Sequence, residues 1–137
     1  MDAGSFKKYI KERYGLGLKD YVFEDKKGIV RIFSKQVMSS KVKGIRGFPA
    51  YDGNTTHYFS TLFGNLAKSG TMELNNETAG LLLSEQEIDA DVPDGEYIGI
   101  LNNKGCCTVL VKEKKAKAYL PALLKRRKMV REPRVFG

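Results

Sequence analysis

Two pairs of short apolar segments, each joined by a turn-like sequence, constrain the fold of this 137-residue chain most strongly. The clearer pair spans residues 97–101 and 108–111, and residues 102–105 (NNKG) separate its two segments. Because Asn and Gly tolerate positive φ, these segments are predicted to form a β-hairpin. Residues 21–23 and 29–33, separated by residues 25–28 (DKKG), predict a second hairpin with a turn that ends in glycine.

A short helix is predicted ahead of the first hairpin, over about residues 5–14. Ser5 is the expected N-cap, and Gly15 and Gly17 are expected to end the helix. Between them the apolar residues recur at helical spacing: Phe6, Tyr9, Ile10 and Tyr14. Helix and hairpin together form a small αββ unit, which we assign to residues 1–38.

The middle and C-terminal parts of the chain consist of short apolar segments separated by glycines. We predict strands over residues 42–48 (ending at Pro49) and 72–74, and a short helix or buried crossing segment over residues 58–66. Asn75 or Asn76 is expected to cap a turn that continues through Ser84. Pro121 is expected to start a last helix whose leucines 120, 123 and 124 face inward.

Many short strands with few, small helices are typical of a small mixed β-barrel. The sequence therefore predicts an α+β fold that is mostly β, with the barrel over residues 39–130. Residues 131–137 are expected to form a flexible basic tail.

The positive charge of the chain is unevenly distributed. Residues 111–137 contain ten basic and two acidic side chains, which equals the formal net charge of +8 for the whole protein, whereas residues 1–110 contain fourteen of each. Clustered Lys and Arg usually bind a polyanion, because they gain affinity from released counterions. Between Lys68 and Lys104 there are eight acidic and no basic residues. Neutralisation of this acidic segment within the molecule is therefore an alternative explanation of the basic block.

Few residues offer catalytic chemistry. His57 is the only histidine, and the only cysteines, Cys106 and Cys107, are adjacent, which is unsuited to chelating a metal or forming a disulfide. Walker and dinucleotide-binding motifs are missing from the sequence. We therefore expect no metal, no cofactor and no enzymatic activity. With no signal peptide at the first residues, no apolar run of about 18 residues and two lone thiols, a cytoplasmic protein without a membrane segment is expected.

Several short motifs occur in an order that resembles a known family. They are residues 42–46 (VKGIR), 72–74 (MEL), 94–100 (DGEYIGI), 112–117 (KEKKAK) and 119–124 (YLPALL). In this order they resemble the PUA-like RNA-binding domain that closes some Sun-family RNA 5-methylcytosine methyltransferases. Residues 10–15 (IKERYG), followed by a hairpin, are similar to the short module that precedes PUA domains in several archaeal-type proteins. The resemblance spans about residues 5–125.

This resemblance implies a PUA-like pseudo-barrel that binds structured RNA, tRNA or rRNA. The catalytic domain of the methyltransferases is missing from this sequence, and Cys106-Cys107 does not match their catalytic cysteines. We therefore expect a stand-alone, monomeric, non-catalytic module that serves a separate RNA-modification enzyme or a ribosomal particle.

The predicted RNA-binding residues are mostly cations. Residues 112–117 would form a basic lip, residues 125–128 a second row, and residues 41–46 an extension if a PUA-like fold places their strand alongside. Tyr119 would either stack on an unpaired base or lie in the core. The full set is Lys41, Lys43, Arg46, Lys112, Lys114, Lys115, Lys117, Tyr119, Lys125, Arg126, Arg127, Lys128 and Arg131.

Two other functions stay open from the sequence. The basic block could dock on an acidic partner subunit, which would make the chain a protein-interaction module. A small enzyme acting on a nucleotide or a modified base would instead need a cleft around His57 with Asp52 or Tyr58.

Overall fold

The computed structural model describes residues 1–35 and 47–122, which contain three α-helices and eight strands in two sheets. The predicted α+β class, mostly strand, is confirmed. The elements in chain order are α1 (Ala3–Tyr14), β1 (Tyr21–Lys26), β2 (Ile29–Ser34), β3 (Phe48–Tyr51), α2 (His57–Phe63), a 3₁₀ turn (Gly64–Leu66), β4 (Thr71–Glu73), α3 (Asn76–Leu83), β5 (Ile88–Asp89), β6 (Gly95–Leu101), β7 (Lys104–Lys112) and β8 (Lys115–Ala118).

Helix α1 begins two residues earlier than predicted. Asp2, not Ser5, is the N-cap, because its carboxylate accepts a hydrogen bond of 2.7 Å from the Ser5 amide and so satisfies a free N–H of the first turn. The helix ends where predicted, at Gly15, which adopts the left-handed conformation with φ of 67°. The local sequence thus gave the end of α1 correctly and the start incorrectly.

The first sheet has the order β1-β2-β3, with both pairs antiparallel. Strands β1 and β2 form the predicted hairpin. Strand β3 begins at Phe48 and runs through Pro49, so the prediction that a strand ends at Pro49 is wrong. A proline is tolerated there because β3 is an edge strand of the described sheet, where a missing N–H need not leave a neighbouring strand unpaired. Residues 42–46 of that predicted strand lie outside the described residues.

The second sheet has the order β4-β6-β7-β8-β5 and curls into a half-barrel. The predicted hairpin of β6 and β7 is confirmed, but its loop is only Asn102-Asn103, both at positive φ, and Lys104 and Gly105 belong to β7. Strand β8, which was not predicted, turns back against β7 because Glu113 and Lys114 also adopt positive φ. This turn brings β8 beside the short acidic strand β5.

Strand β6 lies between two hydrophobic cores. Because successive side chains of a strand point to opposite faces, Ile98 and Ile100 pack in one core and Tyr97 in the other. The first core also contains buried residues of α1, β2 and α2. The αββ unit assigned to residues 1–38 therefore shares this core with residues of the second predicted unit. The second core contains Leu82 of α3 and Val109 of β7.

Helix α2 approaches the backbone of β7 closely. A methyl group on Gly64 would lie 2.6 Å from Gly105 Cα, and one on Gly105 would overlap the carbonyl oxygen of Ser60. At the same contact the buried hydroxyls of Ser60 and Thr108 lie 2.5 Å apart. Both glycines are therefore required by packing, and the contact fixes the second half of α2 relative to the second sheet.

Candidate functional site

The basic lip (Lys112, Lys114, Lys115 and Lys117) lies on the β7–β8 hairpin, beside the acidic segment. Because β5 pairs with β8, three lysines of the basic lip reach carboxylates of the acidic segment. Lys114 Nζ lies 3.7 Å from Asp91, Lys117 Nζ lies 3.7 Å from Glu87, and Lys115 forms an ion pair with Asp89, which raises the pKa of Lys115 and lowers that of Asp89. Lys112 forms no ion pair with a described residue.

These ion pairs support intramolecular neutralisation as the explanation of three cations in the basic block. All six side chains are largely exposed, and exposed pairs contribute only about 0–1 kcal/mol each. Their main effect is therefore on the local field: a phosphate approaching β8 also meets the carboxylates of β5. The lip alone is a weaker polyanion site than its lysine count indicates.

The surplus charge lies elsewhere. The described residues contain fifteen basic and fifteen acidic side chains, so the net charge of +8 belongs to residues 36–46, with three basic side chains, and residues 123–137, with six basic and one acidic. Eight predicted RNA-binding residues lie in these ranges, outside the described residues: Lys41, Lys43, Arg46, Lys125, Arg126, Arg127, Lys128 and Arg131. The predicted final helix beyond Ala122 and the predicted tail also lie there.

A cleft of about 290 Å³ opens where three parts of the fold meet. These are the end of β3, the start of α2 and the segment that follows β8, where the Tyr119 amide still donates to Thr108 of β7. The residues lining the cleft are Asp52, Thr56, His57, Tyr58, Tyr119, Leu120, Pro121 and Ala122. Two short stretches, more than sixty positions apart in the sequence, thus form one concave surface.

Polar groups of the cleft have defined hydrogen-bonding roles. The Tyr119 hydroxyl donates to Asp52 Oδ1 over 2.7 Å, and burial together with this carboxylate raises the pKa of Tyr119 to about 12. The tyrosine therefore stays protonated at neutral pH. His57 Nδ1 is buried and has no hydrogen-bond partner in the described part of the chain, and burial lowers the pKa of His57. The imidazole is consequently neutral at pH 7.

Aromatic surface is also available in the cleft. Tyr58 is 39% exposed, and its ring lies edge-on to His57 with centroids 6.2 Å apart. Tyr119 is partly buried and lines the cleft, so part of it remains accessible to a ligand. A cleft with His57 on its wall is the geometry that the alternative of a small enzyme requires. A half-buried imidazole near Asp52 and Tyr58 was expected from the sequence; the participation of Tyr119 and Pro121 in the same cleft was not.

A second polar cluster surrounds Glu96 of β6 and is structural. Its Oε1 accepts hydrogen bonds from the hydroxyls of Tyr9 (3.0 Å), Tyr14 (2.5 Å) and Thr55, and its Oε2 accepts one from the Thr55 amide (2.9 Å). Arg13 donates to the Glu96 carbonyl oxygen over 2.6 Å and 2.9 Å and lies over the Tyr97 ring. This carboxylate joins α1, the β3–α2 loop and β6, and that loop carries Asp52 into the cleft. The sequence placed Glu96 in the acidic segment and gave no sign of this role.

The remaining candidate groups add little chemistry. Cys106 is partly exposed and Cys107 is buried, and both pack against the second core. The expectation that adjacent cysteines of a strand point to opposite faces does not hold here, because β7 is bulged at Cys106 where its pairing with β6 shifts register. Within residues 1–35 and 47–122, no cluster of His, Cys, Asp and Glu is arranged to hold a metal ion. In the same residues, no helix is both long enough and apolar enough to cross a membrane.

No protein-family model matches the chain, and no curated protein is significantly similar to it. The resemblance to PUA-like domains therefore stays a prediction, and the functional argument depends on the cleft and on the charge distribution.

Proposed function

We propose that this protein is a PUA-like, non-catalytic RNA-binding module that holds an unpaired base of a structured RNA in the cleft. The observation that carries the proposal is the position of the cleft: its wall ends at Pro121 and Ala122, directly before the most basic part of the chain. Aromatic side chains for a base and cations for the adjoining phosphates are thereby close together in the sequence, and a single-strand binding site usually combines these two kinds of residue.

The cations follow the cleft residues closely in the sequence. Lys125 comes three residues after Ala122. Arg126, Arg127 and Lys128 follow directly. The described remainder of the chain has no net charge, which supports these residues as the main source of attraction for a polyanion.

The hydrogen bonds of the cleft support binding more than catalysis. Asp52 accepts a hydrogen bond from the Tyr119 hydroxyl, and His57 Nδ1 has no partner among the described residues, so Asp52 does not orient the imidazole as it would in a catalytic pair. We propose that the protein acts as a monomer in the cytoplasm, on tRNA or rRNA, alongside a separate RNA-modification enzyme or ribosomal particle.

The test is a binding titration of tRNA and rRNA fragments over a range of salt concentrations. Replacement of Lys125, Arg126, Arg127 and Lys128 by alanine is expected to weaken binding and to reduce the slope of log affinity against log salt by about 0.7–0.9 per lost phosphate contact. The matched control removes four positive charges from exposed lysines elsewhere: Lys8, Lys11, Lys19 and Lys26.

Equal effects of the two quadruple variants would contradict the proposal, because charge alone, without position, would then explain binding. Absence of RNA binding, with nuclease-resistant capture of an acidic protein, would favour the interaction module. A change in the mass of the RNA during incubation, lost on replacing His57 by alanine, would favour the small enzyme.

A further inference from the structure

We propose that the cleft is selective for guanine among the unpaired bases, with Asp52 as the residue that determines the specificity. This inference depends on the proposed function for its RNA context, and it adds the identity of the base. It follows from the donors and acceptors that the walls present and from the size of the cleft.

Size limits the ligand first. Pockets that bind drug-sized ligands have volumes of roughly 300–1,000 Å³, and this cleft, at about 290 Å³, lies at the lower end of that range. One base with its sugar is the appropriate size, whereas a dinucleotide cofactor is too large. A flat ring can lie against Tyr58, which is 39% exposed, and against the accessible part of Tyr119. Stacking on such side chains tolerates any base, so it does not determine selectivity.

Hydrogen-bonding groups provide the selectivity, and the strongest acceptor that lines this cleft is the Asp52 carboxylate. A carboxylate has two acceptor oxygens and no donor, and the Tyr119 hydroxyl occupies only Oδ1 of Asp52. Oδ2 accepts no hydrogen bond from a described residue. The Tyr119 hydroxyl already donates its hydrogen to Asp52, so Tyr119 does not offer that hydrogen to a ligand.

A ligand must therefore bring adjacent donors, and guanine alone among the four bases does so. Its Watson–Crick edge presents N1–H and the 2-amino group side by side, and both can donate to one carboxylate. Adenine and cytosine each present one amino group next to an acceptor nitrogen. Uracil presents a single N–H between two carbonyl oxygens, which the Asp52 carboxylate would repel. A bidentate contact typically discriminates against the wrong base by about tenfold or more.

The experiment compares Asp52→Asn with the native protein on RNA hairpins that differ only in one loop base, and on the four free nucleoside 5′-monophosphates. Asn keeps the shape and an oxygen for the Tyr119 hydroxyl, but it replaces an acceptor by an amino donor. The native protein is expected to prefer the G hairpin and GMP by about tenfold, and Asp52→Asn to lose that preference while its affinity for the other hairpins stays within about twofold. Inosine in the loop, which lacks the 2-amino group, should bind with intermediate affinity.

Asp20→Asn is the matched control, since it removes an equal charge from an exposed carboxylate outside the cleft, and it should keep the preference. Native protein that binds all hairpins and all monophosphates equally overturns the guanine inference and leaves RNA binding intact. A preference that survives Asp52→Asn overturns the role of Asp52. If no hairpin binds but GMP does, the proposed RNA function fails and the guanine site stands; if neither binds, both fail.

Discussion

Replacement of Glu96 by alanine should destabilise the protein more than replacement of any exposed acidic residue. The carboxylate accepts four hydrogen bonds, and three of the donors belong to the fully buried residues Tyr14 and Thr55: their two hydroxyls and the Thr55 amide. Hydrogen bonds to a charged acceptor contribute about 1.5–3 kcal/mol each, and a buried donor left without a partner costs about 1–3 kcal/mol. Because the donors share one acceptor, their effects are not additive, and we expect a total loss of about 3–5 kcal/mol.

The assay is thermal and urea unfolding followed by circular dichroism. For a chain of this length the unfolding entropy near the midpoint is about 0.29 kcal/mol/K, so the expected loss lowers Tm by about 10–17 °C. Glu73→Ala, at an exposed position of β4, is the control and should change the free energy of unfolding by less than about 0.5 kcal/mol. Glu96→Gln, which keeps an acceptor but adds an amino donor, should lose about 1–3 kcal/mol.

Alkaline pH provides a second readout of the same cluster. Burial and the Glu96 carboxylate raise the pKa of Tyr9 to about 12, and the same two causes raise the pKa of Tyr14. The folded-state pKa of each exceeds the unfolded value of about 10, so their contribution to stability is fully present below pH 10 and decreases as pH rises towards 12. Glu96→Gln removes the carboxylate and therefore one of the two causes. Above pH 10 the native protein should then lose more stability than the variant, so the difference between their unfolding free energies should become smaller. An Ala variant as stable as the Glu73 control, or a difference that stays constant with pH, would refute the reasoning.

Two further predictions concern packing and charge. Gly105→Ala should lower the free energy of unfolding by about 2–4 kcal/mol, because its methyl group would force α2 away from β7 and disturb the Ser60–Thr108 contact. Gly80→Ala, in the exposed interior of α3 with free space around it, should raise that free energy by about 0.5–1 kcal/mol. Urea unfolding measures both, and similar stabilities of the two variants would show that the close approach is not required. The triple variant Glu87→Gln, Asp89→Asn and Asp91→Asn removes the three carboxylates that pair with the basic lip. It should steepen the slope of log affinity against log salt for an RNA homopolymer by about 0.7 per released lysine and change the free energy of unfolding by less than about 1 kcal/mol. An unchanged slope would mean that the ion pairs do not shield the basic lip.

Several elements could be predicted because their causes are local. The turns at Lys27-Gly28 and Asn102-Asn103 have positive φ at both residues, and Gly28 and the two asparagines are residue types that accept this conformation. Gly15 ends α1 for the same reason. Where no such residue marks the turn the prediction failed: Glu113 and Lys114 take positive φ between β7 and β8, and neither residue type is typical of that conformation, so β8 was not predicted.

The candidate site illustrates the limit of local patterns. The sequence alone could group three of the cleft residues, His57, Asp52 and Tyr58, because they are within six positions of each other. Tyr119 joins them only because α2 packs on β7 and the segment after β8 passes the start of that helix. The pairing of Lys114, Lys115 and Lys117 with carboxylates likewise depends on strand order, since β5 reaches β8 after the chain has crossed the sheet.

By itself, the sequence determined the α+β composition, the two hairpins, the end of α1 and the net charge of +8. Residue type, spacing within about four positions and turn chemistry are sufficient for these features. Only the tertiary structure decided which charges neutralise one another, that Glu96 lies inward among hydroxyl groups, and that Tyr119 shares a cleft with Asp52 and His57. Each of these depends on contacts between residues that are distant in the chain, and the order of strands in a sheet sets such contacts.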